Sequence, residues 1–223
     1  ADEMHLRSVC EAMVRVASRI GRPIRRISTG GGLPIPYRVG DGEADVEQYF
    51  RCWETACREI AALQGFSPRL ETEPGRYLVG NAGMLVAEVR SVKPMGGNHF
   101  TLVDAGMNDL VRPAMYGAHH RISLIPRDDV PRPLLETVVG GPLCESGDVF
   151  TQQADSVLEP VWLPAPNVGD LLVIHDAGAY GASMSSQYNS RPLAPEILID
   201  GDDARVIRRR QTIEDLLLLE SAL

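Results

Sequence analysis

Apolar positions recur at helical spacing over residues 4–20, with Leu6, Val9, Met13, Val16, Ala17 and Ile20 on one face. Gly21 supplies a stop and Pro23 blocks a restart. Residues 24–27 read as a short strand that runs into Ser28-Thr29-Gly30-Gly31-Gly32, and residues 33–42 as an irregular loop rich in Pro and Gly. From Asp45 the spacing of Val46, Tyr49, Phe50, Trp53, Ala56, Cys57, Ile60 and Ala61 predicts a second helix, closed by Gly65. A second strand at 69–73 ends in Glu73-Pro74-Gly75-Arg76. This order (helix, strand, glycine loop, twice over) implies parallel strands joined by crossover helices. Part of a (β/α)8 barrel and a flavodoxin-like half-sheet both fit at this level.

Beyond Ala82 the texture changes to short β-rich runs at 85–92, 100–103, 122–125, 134–139, 149–152, 157–162, 171–174, 196–199 and 205–208. Turn signals such as Gly96-Gly97, Asp128-Asp129 and Gly201-Asp202 separate many of them, which predicts an antiparallel barrel or sandwich. Thr212-Ile213-Glu214-Asp215 has the form of a capping box opening a short terminal helix. The expected domains are therefore 1–82, α/β, and 83–223, all-β. A full eightfold barrel takes roughly 250 residues. Two strand-helix units ahead of a β domain therefore look like the C-terminal half of something larger.

The candidate chemistry sits at the two strand ends. Glu73-Pro74-Gly75-Arg76 packs a carboxylate, a fixed turn, bare backbone and a guanidinium into four residues. Exposed amides beside an arginine make a seat for a phosphate. The plain alternative is a Pro-Gly turn with a surface arginine. The second glycine stretch, also at a strand end, tips the balance, because strand C-termini carry the phosphate sites of (β/α)8 barrels.

Composition narrows the field. The formal net charge of -8 argues against general nucleic-acid binding. No run approaches a membrane span, and the first residues show no apolar signal core, so a cytoplasmic protein is expected. Cys10, Cys52, Cys57 and Cys144 lack metal-site spacing and are expected as reduced thiols, with no metal. The five histidines match no ligand pattern and are read as structural. Of 22 basic residues only Lys93 is a lysine, so any catalytic lysine in this chain must be Lys93.

Five motifs occur in order: 30–35 (Gly-Gly-Gly-Leu-Pro-Ile), 73–76, 104–116 (ending Arg112-Pro113-Ala114-Met115-Tyr116), 141–148 (Gly-Pro-Leu-Cys-Glu-Ser-Gly-Asp) and 176–181 (Asp-Ala-Gly-Ala-Tyr-Gly). Together the motifs make the chain resemble the diaminopimelate decarboxylases, pyridoxal-phosphate (PLP) enzymes of the alanine-racemase-like fold. The resemblance covers essentially the whole chain, and the Arg-Pro-x-x-Tyr and Cys-Glu-Ser pieces separate it from ornithine decarboxylases and alanine racemases. It implies the last strand-helix units of a PLP-binding (β/α)8 barrel followed by a β domain. It also implies a head-to-tail homodimer with active sites at the subunit interface, and decarboxylation of meso-diaminopimelate to L-lysine.

The resemblance further implies roles. Gly30, Gly31, Gly32, Pro74, Gly75, Arg76 and Tyr180 belong to the cofactor site, with the phosphate held by the glycines and Arg76. Glu73 pairs with the pyridine nitrogen. Arg112, Tyr116 and Glu145, with Arg76 and Tyr180, bind the substrate, and Arg112 and Glu145 face its distal carboxylate and ammonium. Cys144 is the proton donor across the dimer interface, and Asp148 braces its loop. The family's Schiff-base lysine and ring-stacking histidine lie in its N-terminal half and have no counterpart here; Lys93 matches no catalytic position. The isolated chain is therefore expected to be inactive. Two alternatives stay open: a related PLP decarboxylase of D-lysine, D-ornithine or a carrier-bound amino acid, and a truncated non-catalytic paralogue.

Overall fold

The computed structural model describes residues 3–220. The outermost residues of the two expected domains, at 1–2 and 221–223, lie outside the described residues. The chain divides into two compact units, Ala1–Asn81 and Ala82–Leu223.

In the first unit, helices α1 (Glu3–Arg19) and α2 (Val46–Gln64) pack over two short strands, β1 (Arg26–Ser28) and β2 (Arg69–Glu71). The strands pair in parallel, Ile27 opposite Leu70, as the alternation predicts. The core is Leu6, Cys10, Ile27, Trp53, Ala56, Cys57 and Ile60. The buried face of α1 is rotated from the predicted one: Cys10, Met13, Val14 and Ala17 pack inward, and Val9, Val16 and Ile20 are exposed. Cys10 and Val14 complete the i, i+4 row from Leu6, and α2 covers that row. Asp45 caps α2 by accepting from the Gln48 amide, and Gly65 ends it by donating its amide N–H to the Ala61 carbonyl oxygen. A one-turn helix, α3 (Gly75–Val79), follows the Pro-Gly turn.

The second unit holds a six-stranded sheet in the order β5-β8-β3-β4-β6-β7. Its members are β3 (Leu85–Met95), β4 (Asn98–Val103), β5 (Ile122–Ile125), β6 (Leu134–Gly140), β7 (Val161–Pro164) and β8 (Leu171–Ile174). The edge strands β5 and β7 approach each other, so the sheet curls toward a barrel around Val89, Val103, Val139, Leu163, Leu172 and Ile174. Strands β9 (Glu196–Asp200) and β10 (Asp203–Arg208) form a separate hairpin. A short helix, α4 (Arg112–Tyr116), sits in the β4–β5 connection, and α5 (Ile213–Leu216) opens with the capping box on Thr212 and Asp215.

Four expectations for this unit are corrected. The sheet is not wholly antiparallel, because β4 and β6 pair in parallel. Residues 149–152 form no strand: they make only the bridges Gly140–Val149 and Gln152–Leu158, and side chains supply bonds a ladder would otherwise make. Thr151 Oγ1 accepts from the Val139 amide, and the Gln152 amide donates to the carbonyls of Gly147 and Val149. The run predicted at 157–162 shifts to β7, which begins only at Val161, after Pro160. β3 also extends past its expected end through Lys93 and Pro94, paired with Phe100 and His99.

Candidate functional site

In the first unit the two glycine loops leave the same ends of neighbouring parallel strands. The Thr29 amide donates to Glu71 O and the Glu73 amide to Gly30 O, both at 2.9 Å, so the loops are stitched just past β1 and β2. A Cβ on Gly31 would stand 2.8 Å from the Glu73 carbonyl oxygen, too close for any side chain. Gly30 and Gly32 hold φ of 66° and 92°, a backbone that side chains disfavour. Among the described residues the amides of Gly31 and Gly32 donate to no backbone or side-chain acceptor. Tyr49 of α2 pins the loop from behind, its hydroxyl 2.9 Å from Thr29 Oγ1 and 3.2 Å from Gly31 O. Ser28 Oγ donates to Glu73 Oε1 at 2.6 Å and accepts from the Gly30 amide at 3.0 Å. Arg76 reaches back over the Tyr37 ring, 6.0 Å from its centre.

This donor set suits a phosphate. Bare amides at a strand end and a nearby guanidinium answer a dianion, and the close approach at Gly31 keeps side chains out of the cradle. Glu73 supplies a carboxylate beside it. Of these residues, sequence reasoning missed the roles of Ser28, Thr29 and Tyr49. The spacing of Tyr49 on α2 marked it only as a core position.

In the second unit Arg112 is buried on α4, with its guanidinium 5.5 Å from the centre of the Tyr180 ring. Tyr180 adopts φ of 63°, and Asp176, at the start of its loop, 58°. Arg112 Nη1 also lies 3.3 Å from His120 Nε2. Tyr116, one turn along α4, is exposed. Cys144 and Glu145 are exposed on the 141–148 loop. The Cys144 amide donates to Asn189 Oδ1 at 3.0 Å. Glu145 accepts from the Gly147 amide at 3.1 Å and from the Ser146 and Tyr188 hydroxyls at 3.4 Å. The Gly147 bond first, then these hydroxyls, hold its carboxyl below the usual range.

Asp148 is buried and ties two loops together. Its Oδ1 accepts from the Met107 amide at 2.6 Å and its Oδ2 from the Leu143 amide at 2.8 Å. Burial nevertheless pushes its carboxyl up, partly offset by those two amides. Asp148 thus braces the segment that leads into Arg112 against the one that carries Cys144. Sequence reasoning missed His120, Tyr188 and Asn189. Lys93 is exposed in the β3–β4 hairpin.

The family model for the pyridoxal-dependent decarboxylase C-terminal sheet domain matches residues 9–178. The chain belongs to this family of pyridoxal-dependent decarboxylases. It is 58% identical over 221 residues to the diaminopimelate decarboxylase of Streptomyces coelicolor, covering 98% of this chain and 50% of that protein. It is 56% identical over 222 residues to the diaminopimelate decarboxylase of Escherichia coli, covering 98% of this chain and 53% of that one. A crystal structure of diaminopimelate decarboxylase superposes with a TM-score of 0.94 at 56% identity, over 98% of this chain and 53% of that one. The Helicobacter pylori diaminopimelate decarboxylase complexed with L-lysine gives 0.79 at 36% identity, over 96% of this chain and 51% of that one. The chain thus spans about half the length of the curated relatives it matches.

Proposed function

We propose that this chain is the C-terminal part of a diaminopimelate decarboxylase that converts meso-diaminopimelate to L-lysine and CO2. The observation that carries the reading is the pair of glycine loops stitched together at adjacent strand ends, with Glu73 beside them. The relatives add the substrate. The first unit is read as the last strand-helix units of a (β/α)8 barrel, and residues 83–223 as the β domain. The active protein is read as a cytoplasmic homodimer; no helix among the described residues is long and apolar enough to cross a membrane.

Bound PLP supplies an electron sink for the pair left when CO2 departs. Gly30, Gly31, Gly32, Pro74, Gly75 and Arg76 form its phosphate seat, with Tyr180 alongside. Glu73, oriented by Ser28, holds a negative charge where a pyridine nitrogen keeps its proton. Arg112 takes the substrate's distal carboxylate, for which a planar guanidinium is shaped, and Glu145 takes the distal ammonium. Tyr116, Arg76 and Tyr180 complete the substrate wall. Cys144, supplied by the second subunit, gives its Sγ proton to the carbon that lost CO2. A site with paired charges for a second amino-acid head disfavours D-lysine, which lacks the distal carboxylate and leaves Arg112 unanswered.

The test is turnover by the full-length polypeptide. Release of CO2 from meso-diaminopimelate, with D-lysine far slower, is expected; equal turnover of both, or none of the first, overturns the reading. Lys93 matches no cofactor position of the family, so the isolated chain incubated with PLP is expected to retain none of it on lysine after gel filtration.

A further inference from the structure

Arg112 is held from two sides, by the Tyr180 ring across its face and by His120 at its edge. His120 is itself fixed. It is 3% exposed, and its Nδ1 lies 2.9 Å from the carbonyl oxygen of His175, which directly follows β8. A carbonyl only accepts, so Nδ1 carries the proton. Nε2 is then the lone-pair nitrogen and accepts from Arg112 Nη1. One backbone carbonyl just past the sheet therefore selects the tautomer that presents an acceptor to the arginine.

We propose that His120 is a positioning residue for Arg112. It is kept as the Nδ1–H tautomer by the His175 carbonyl, so that its Nε2 aims the guanidinium at the carboxylate of an amino-acid ligand. The proposal deepens the reading of Arg112 as the carboxylate-binding arginine and rests on it. Protonating His120 would turn Nε2 into a donor facing another donor and put two cations together. The charges around the ring agree with a neutral imidazole. Burial first, then Arg112 and His119, lower its pKa below the ordinary 6.5, while its bond to the His175 backbone and the charge of Asp176 oppose them. The ring of His175, next to that carbonyl, is engaged elsewhere, with Ser123 Oγ at 2.7 Å and Arg121 Nη2 at 3.2 Å.

The test compares His120→Phe, His120→Gln and Arg112→Met in the full-length, PLP-loaded enzyme, with meso-diaminopimelate as substrate and KM and kcat measured across pH. His120→Phe keeps the ring volume but no acceptor. Its KM is expected to rise about tenfold with a much smaller change in kcat, the scale of one hydrogen bond to a charged group. His120→Gln keeps an acceptor at the far end of the side chain, so it should restore a low KM. It should also remove the rise in KM expected of the parent once the pH falls to the folded pKa of His120, which lies below the ordinary 6.5. If His120→Phe misfolds, the pH profile of His120→Gln decides alone. A wild-type KM in folded His120→Phe, or an unchanged acid limb in His120→Gln, overturns the proposal, provided that Arg112→Met raises KM. An unchanged KM in Arg112→Met instead overturns the reading of Arg112 itself.

Discussion

Ser28 Oγ donates to Glu73 Oε1 at 2.6 Å across the ends of two parallel strands, and the same oxygen accepts the Gly30 amide at 3.0 Å. One hydroxyl thus orients the acid and holds the glycine loop. Ser28→Ala should free both. With the pair exposed, the loss is about 1 kcal/mol, near the lower end for such bonds, or roughly fivefold in PLP affinity. Equilibrium dialysis of PLP against the full-length variant checks it.

Gly31→Ala puts a methyl 2.8 Å from the Glu73 carbonyl. That carbonyl is backbone and cannot swing aside, so the loops must part, at about 1–3 kcal/mol for such overpacking. Tyr49→Phe removes only the hydroxyl that braces Thr29 and Gly31 and should cost about 1 kcal/mol. Both are expected to lower PLP retention, Gly31→Ala the more, measured as cofactor remaining after gel filtration.

Asp148→Asn keeps the size of the side chain but replaces one acceptor with an NH2 group. That group must face the amide of Met107 or of Leu143, donor against donor. Leaving a buried donor unmatched costs about 1–3 kcal/mol. Urea unfolding of the full-length variant should show that loss as a lower midpoint.

Cys144→Ser tests the proton donor. A hydroxyl is a far weaker acid than a thiol, so kcat should fall by about 10²-fold or more, within the usual range for a general acid. KM should stay close to the parent value, since the hydrogen bond from the Cys144 main-chain amide to Asn189 does not involve Sγ.

A pH dependence of stability follows from His120. Its folded pKa lies below the ordinary 6.5 because burial disfavours its charged form. The unfolded chain therefore binds the proton first as pH falls, and stability drops through the interval from about 6.5 down to the folded value. Thermal midpoints at about pH 7.5 and 5.5 should differ more in the parent than in His120→Gln, whose residue does not titrate.

The meeting of the two glycine loops at neighbouring strand ends was legible in the sequence because its signals are local: apolar runs of strand length ending in Gly-Gly-Gly and Pro-Gly. The capping box at Thr212 was legible for the same reason. What escaped depends on residues far apart in the chain. The parallel pairing of β4 with β6 is set by the path of the connection, and no local pattern encodes it. Residues 149–152 carry strand-like residues, yet Thr151 and Gln152 spend their side chains on neighbouring main chain instead of leaving a ladder to form. His120 stood eight residues from Arg112 and looked structural; its partner carbonyl, 55 positions on, gives it a tautomer.

The double grip of Asp148 on Met107 and Leu143 also bears on redesign. A change in the length of either segment would pull that shared anchor out of register. Transplanting one segment from a homologue with a different appetite therefore imports a mismatch, and exchanging both as a single cassette preserves the joint.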